Sequence, residues 1–151
     1  MKPTLLYRIA SIVFILIAVT HTIELLNPKQ PSPAVAAVRA AMDSVHFQSA
    51  GASLSYGEMY IGFGLFVTAY LLFSAFLAWH LGGLAQNNPQ AIGALGWAFF
   101  AVEIACLVLA WIYFFVGPVV ASALVAVCLG WAAWLIRSEA MLSASPSGGS
   151  R

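Results

Sequence analysis

Histidine 21 and glutamate 24 stand three residues apart at the end of the apolar run "RIASIVFILIAVT", which carries no charge after Arg8. On a helix, positions i and i+3 share a face, so an imidazole and a carboxylate would meet there. Glu58 lies near the start of a second apolar run, flanked by Tyr56 and Tyr60, and Asp43 and His46 occupy the stretch between the runs. Such a set could exchange a proton, orient a polar ligand, or supply nitrogen and oxygen ligands to zinc or iron; the plainer alternative is that its members snorkel at the interface or cap the backbone of the first loop. Di-metal bundles need paired Glu-x-x-His motifs with a Glu from each other helix. This chain has one His-x-x-Glu in the opposite order, so no metal is expected and no cofactor is named. The expected pocket residues are His21, Glu24, Glu58, Tyr60 and Glu103, with His46 and Tyr56 at its margin.

Glu103 is a different case. It sits about 18 Å into the third apolar run at ~1.5 Å per residue, near mid-membrane. An ionisable group at that depth is costly and is by default a functional candidate, or else a protonated structural one. Its face carries Phe99, Phe100, Cys106 and Leu107. His80, at the opposite end of the second run from Glu58, is expected to cap a helix C-terminus, where a positive imidazole is favoured. Cys106 and Cys128 lie in apolar runs without a C-x-x-C pair and read as buried small hydrophobes.

The elements that must hold these groups follow from composition. Of the 151 residues, 62% are hydrophobic and only 7% charged, with a mean hydropathy of +0.94. Soluble domains carry about 25% charged residues, so lipid is the natural solvent. A net charge of +1 without basic clusters speaks against nucleic acid, which needs concentrated positive charge. A spanning helix needs about 20 apolar residues. Four runs qualify, at about 5–26, 56–80, 91–115 and 119–136, punctuated by Asn27-Pro28, Gly82-Gly83 and Gly117-Pro118. The expected fold is all-α, an integral membrane four-helix up-down bundle in a single domain over 1–137. A disordered cytoplasmic tail is expected over 138–151.

The first connection is long. After "PKQPSP", apolar Val35, Val38, Met42 and Val45 recur at helical spacing, with Arg39, Asp43 and His46 between them. That pattern predicts a short amphipathic helix at the membrane surface or over the bundle. The N-terminal "MKPTLLYR" plus its apolar run also has the look of a secretory signal, and Ala34-Val35-Ala36 has the A-x-A form. The apolar core is long for a leader, and prolines and a lysine intervene, so a retained helix is expected. Lys2, Arg8, Arg137 and Arg151 on the side of the termini outnumber Lys29 and Arg39, which places both termini in the cytoplasm. Small-residue stripes, Ala94, Ala98, Ala101 and Ala105 in the third run and Ala123, Ala126, Gly130 and Ala133 in the fourth, are expected contact seams.

His21, the block "VRAAMDSVHFQSAGASLSYGEMYIGFGL" and the turn "YFFVGPVV" together resemble a class of small bacterial four-span membrane proteins, over nearly the whole chain. The resemblance implies a four-span fold and a bacterial inner membrane, and no reaction. A looser likeness is to DoxX-like four-helix membrane proteins, some of which accompany quinone oxidoreductases. The reading that follows is a membrane protein binding a small ligand or lipid in a polar pocket, or serving as a subunit of a larger membrane complex or homo-oligomer. Its alternative is a membrane-embedded enzyme, a proton-transfer isomerase or redox-associated protein, using Glu103 or Glu58 with His21. A transporter ranks last, because no inverted repeat or broken helix is visible.

Overall fold

The structure is a computed structural model that describes residues 2–29 and 32–144. It is all-α apart from one small hairpin. Helix α1 spans Pro3–Leu26 and α2 spans Pro33–Ser44. Strands β1 (His46–Ser49) and β2 (Ala52–Ser55) follow, then α3 (Tyr56–Asn87), a single 3₁₀ turn (Pro89–Ala91), α4 (Gly93–Tyr113) and α5 (Val116–Ala144). Helices α1, α3, α4 and α5 are each long and apolar enough to cross a membrane, the make-up of a multi-pass membrane protein.

Local chemistry sets most boundaries. Pro3 opens α1, where a missing N–H costs nothing, and Asn27 closes it by donating to the Ile23 carbonyl at 2.9 Å. Ser32 caps α2, accepting from the Val35 amide at 3.4 Å with Pro33 in the first turn. Helix α3 passes through Gly82-Gly83 without a break and reaches Asn87. The glycines end nothing, since a glycine inside a helix costs only about 1 kcal/mol; a Cβ at residue 82 would make ordinary contact with the Thr4 carbonyl oxygen at 3.4 Å. Gly117-Pro118 also fails to end a helix. Pro118 falls in the first turn of α5, a position that tolerates it, and the chain turns earlier, at Phe114 and Phe115. At 32 residues α3 is about 48 Å long, well beyond the ~30 Å hydrocarbon thickness. The fourth long helix runs past Ile136 to Ala144, so residues 138–144 of the expected tail are helical. Residues 145–151 lie outside the described residues.

The hairpin is the element the sequence did not announce. Val45 ends α2 rather than extending its apolar face, and His46 begins β1. The strands pair antiparallel, His46 with Ser55 through Ser49 with Ala52. The two-residue loop places Ala50 at φ +49° and Gly51 at φ +85°, the left-handed pair of a tight hairpin turn. Gly51 adopts this freely, whereas for Ala50 it costs about 1–2 kcal/mol.

The chain forms two compact units. One holds residues 18–72, and the other joins 1–17 to 73–151. In the latter, α1 contributes Leu6, Tyr7, Ala10, Ser11 and Phe14 to a buried stripe, and α3 contributes Ser74, Ala75, Ala78 and Leu81. Both sets follow the i, i+3, i+4 period of one helix face. The Ser11 hydroxyl donates to the Ala75 carbonyl at 2.8 Å, joining the two stripes. Helix α5 buries Ala126 and Ala133, and Gly130 lies beneath the Phe100 ring, so its small-residue stripe is a seam. The α4 stripe is not: Ala94, Ala98, Ala101 and Ala105 are exposed, and α4 instead buries Gly96, Phe99, Glu103 and Ala110. Phe99, a larger surface, does the packing, stacking on Phe14 at 5.8 Å between centroids.

Candidate functional site

Residues 18–72 contain most of the expected pocket residues, and the side chains of His21, His46, Tyr56 and Glu58 have local partners. His21 Nε2 lies 3.0 Å from the Gly64 carbonyl oxygen. At the next residue of α1 and one turn along α3, the Thr22 and Thr68 hydroxyls meet at 2.9 Å. Thr22 also bonds the Ala18 carbonyl at 2.7 Å, and Thr68 the Gly64 carbonyl at 3.3 Å. This polar ladder joins α1 to α3 within the unit, the kind of interhelical hydrogen bonding that holds helices together where lipid supplies no hydrophobic drive. His21 is therefore a helix-joining residue. Glu24, one turn on, is exposed.

Glu58 is also accounted for locally. The Ser55 amide donates to Glu58 Oε2 at 2.7 Å, and the Glu58 amide donates to Ser55 Oγ at 3.0 Å. This is a reciprocal capping box, which satisfies two orphan amides at the start of α3. The sequence carried the signal, Ser55-Tyr56-Gly57-Glu58. Tyr56 packs its ring on Phe47 of β1 at 5.0 Å. His46 is exposed, with Nδ1 3.1 Å from the Ser44 carbonyl oxygen. Among the described residues, no three His, Cys, Asp or Glu side chains come together in a group able to hold a metal ion. His21, Glu24, Glu58 and His46 thus form no single cluster.

A cleft opens instead between α2 and the start of α3. It has a volume of about 250 Å³ and is lined by Val38, Arg39, Met42, Asp43, Gly57 and Tyr60, with Val35 at its edge. Gly57 shapes it. A Cβ at residue 57 would collide with the Asp43 carboxylate, so glycine lets that carboxylate rest against the first turn of α3. The positive end of a helix favours an anion there. Asp43 has thus a helix end to answer its charge, and among the described residues Arg39 makes no ion pair. Tyr60, 53% exposed, presents its ring and hydroxyl beside it. Arg39 and Asp43 were legible as polar positions of α2, but their cleft was not, since it depends on a glycine in another helix.

In the second unit, Glu103 is 2% exposed and hydrogen-bonds the Ser122 side chain of α5. Pairing of this kind is how a buried acid is tolerated in hydrocarbon. It lines none of the clefts described here. The Tyr7 hydroxyl, on a residue 0% exposed, has no hydrogen-bond partner among the described residues; it lies against Gly96, where a Cβ would come within 2.8 Å of it. His80 does not end its helix, because α3 continues beyond it. Its ring stacks on Phe76 at 6.1 Å, while Arg8 lies 5.1 Å over the Trp79 ring. Both cysteines are free thiols.

Comparison with known proteins returns no matching family model, no matching curated protein and no matching solved structure.

Proposed function

We propose that this is a multi-pass protein of a bacterial inner membrane, both termini cytoplasmic, that holds a small acidic amphiphile in the cleft between α2 and α3. The observation that carries this reading is Arg39, without an ion pair among the described residues, in a cleft whose neighbouring carboxylate, Asp43, rests on a helix start. A guanidinium matches a carboxylate or phosphate headgroup with two parallel hydrogen bonds. The Tyr60 hydroxyl supplies a further donor, and Val35, Val38 and Met42 offer an apolar wall for a chain. Helix α2 buries none of its residues, and its apolar residues suit a position in the headgroup region. There a molecule entering from the membrane would meet Arg39 first. The excess of Lys and Arg beside the two termini supports the orientation.

Native mass spectrometry of the protein extracted from its own membrane, with metal analysis alongside, tests this. A bound anionic amphiphile that is lost in Arg39→Gln is the expected result. A stoichiometric metal, or an unchanged bound mass in Arg39→Gln, refutes it. A proton-transfer enzyme built on Glu103 has the buried acid in its favour; the partner Ser122 fits a structural acid better.

A further inference from the structure

The α4–α5 pair carries a second set of clefts, unrelated to the Arg39 site. The first, about 370 Å³, is lined by Gln90, Trp97, Ala133, Ile136 and Arg137. The next, about 400 Å³ and almost wholly apolar, is lined by Phe100, Leu107, Ala123, Ala126 and Gly130. Trp97 and Phe100 are one turn apart on α4, and Ala133 and Gly130 are one turn apart on α5. The two clefts therefore follow one another along the pair, from a polar end into an apolar groove. Gly130 keeps the groove shallow-floored, because a Cβ there would come within 2.8 Å of the Phe100 ring.

The polar end is bipolar. Arg137 lines the first cleft, and Glu139 lines an adjoining one of about 200 Å³ that shares Pro89, Gln90, Ile136 and Ala140 with it. Residues two apart on a helix do not face each other, so the cation and the anion flank a shared rim rather than neutralising one another. Among the described residues neither makes an ion pair. Helix α4 begins beside them with no side-chain cap on its N-terminal residue, and the Leu95 amide of its first turn donates to the Ile92 carbonyl at 3.0 Å.

We infer that this groove binds a bilayer glycerophospholipid with a zwitterionic, primary-ammonium headgroup of the phosphatidylethanolamine class. Its phosphate lies at Arg137 and Gln90, its ammonium at Glu139, and an acyl chain runs over Gly130. Charge complementarity selects this occupant. A purely anionic headgroup leaves Glu139 opposed, and a quaternary ammonium offers that carboxylate no N–H to accept. An apolar helix from a second copy leaves Arg137 and Glu139 unanswered.

The full chain in nanodiscs holding equal amounts of phosphatidylethanolamine, phosphatidylcholine and phosphatidylglycerol, all with the same acyl chains, provides the test. Lipids retained after release are counted by native mass spectrometry. The ethanolamine lipid is expected to be retained about threefold over each of the others, the scale of exposed charge pairs. Arg137→Gln should lower that retention, and Glu139→Gln should erase the preference over phosphatidylglycerol. Gly130→Leu should reduce retention of all three. If the Gly130 variant does not fold, the two charge variants decide alone. Equal retention of the three lipids, preference for phosphatidylglycerol in the unaltered chain, unchanged selectivity in both charge variants, or a lipid-free dimer overturns the inference.

Discussion

Glu58 and Glu103 are both glutamates at the margin or middle of an apolar run, yet their surroundings have little in common. Glu58 is exposed and closes a capping box with Ser55, three residues away. Glu103 is buried and reaches across to Ser122 on another helix. The first sits in the unit of residues 18–72, where Glu58 is satisfied by a near neighbour and the His21–Thr22–Thr68 ladder joins α1 to α3. The second sits in the unit of 1–17 and 73–151, where polar atoms are few and packing is aromatic and small-residue. An acid in a greasy segment is therefore not by itself a sign of chemistry. Among the described residues Arg39 makes no ion pair, and it lines a cleft, whereas Glu24 is exposed and lines none of the clefts described here.

The comparison can be broken where its effects are largest. Glu103→Ala should destabilise the protein by about 2–4 kcal/mol, since it opens a buried cavity and strands Ser122. Glu103→Gln, which keeps a hydrogen-bonding amide, should cost far less. Thermal unfolding in detergent followed by circular dichroism would show it, and equal losses for the two variants would mean the acid's charge matters. Gly57→Leu comes next, at about 1–3 kcal/mol, because it must displace the Asp43 carboxylate from the start of α3. It should also abolish amphiphile retention at Arg39. Ser55→Ala should cost about 1 kcal/mol through loss of the cap, whereas Glu58→Gln should leave the melting curve nearly unmoved, because a Gln can also close the box. Tyr7→Phe sharpens the contrast from the other side. Removing an unpartnered buried hydroxyl should raise stability by about 1 kcal/mol, and a loss would show that the hydroxyl has a partner in the membrane.

Four long helices were legible because an apolar run of sufficient length has few other uses in so uncharged a chain. Helix α2 was legible from the spacing of Val35, Val38 and Met42. Its end was not, because Val45 and His46 continue the same period while the backbone turns to β. The hairpin stayed hidden since "HFQSAGAS" lacks the Asn-Gly or Asp-Gly pair that marks such turns, and Ala50 gives no hint of a left-handed conformation. Helix ends were misplaced for a common reason. Gly82-Gly83 and Pro118 read as breaks in isolation, but glycine only weakens a helix by about 1 kcal/mol, and a first-turn position tolerates proline. The alanine stripe of α4 misled because lipid and protein are almost equally apolar, so small residues do not reveal which side they face. The capping role of Glu58 was legible in Ser-x-x-Glu, whereas the Arg39 cleft required a glycine on α3 that no local pattern connects to α2.

The account turns on Arg39 as the anchor of an acidic headgroup, and one titration addresses it directly. The purified full-length protein is titrated calorimetrically, in an uncharged detergent, with a long-chain fatty acid and with the alcohol of the same chain length. The account predicts about threefold to fivefold tighter binding of the carboxylate, an advantage that disappears in Arg39→Gln while binding of the alcohol is unchanged. Equal affinity for acid and alcohol, or a preference for the acid that survives in Arg39→Gln, would contradict it.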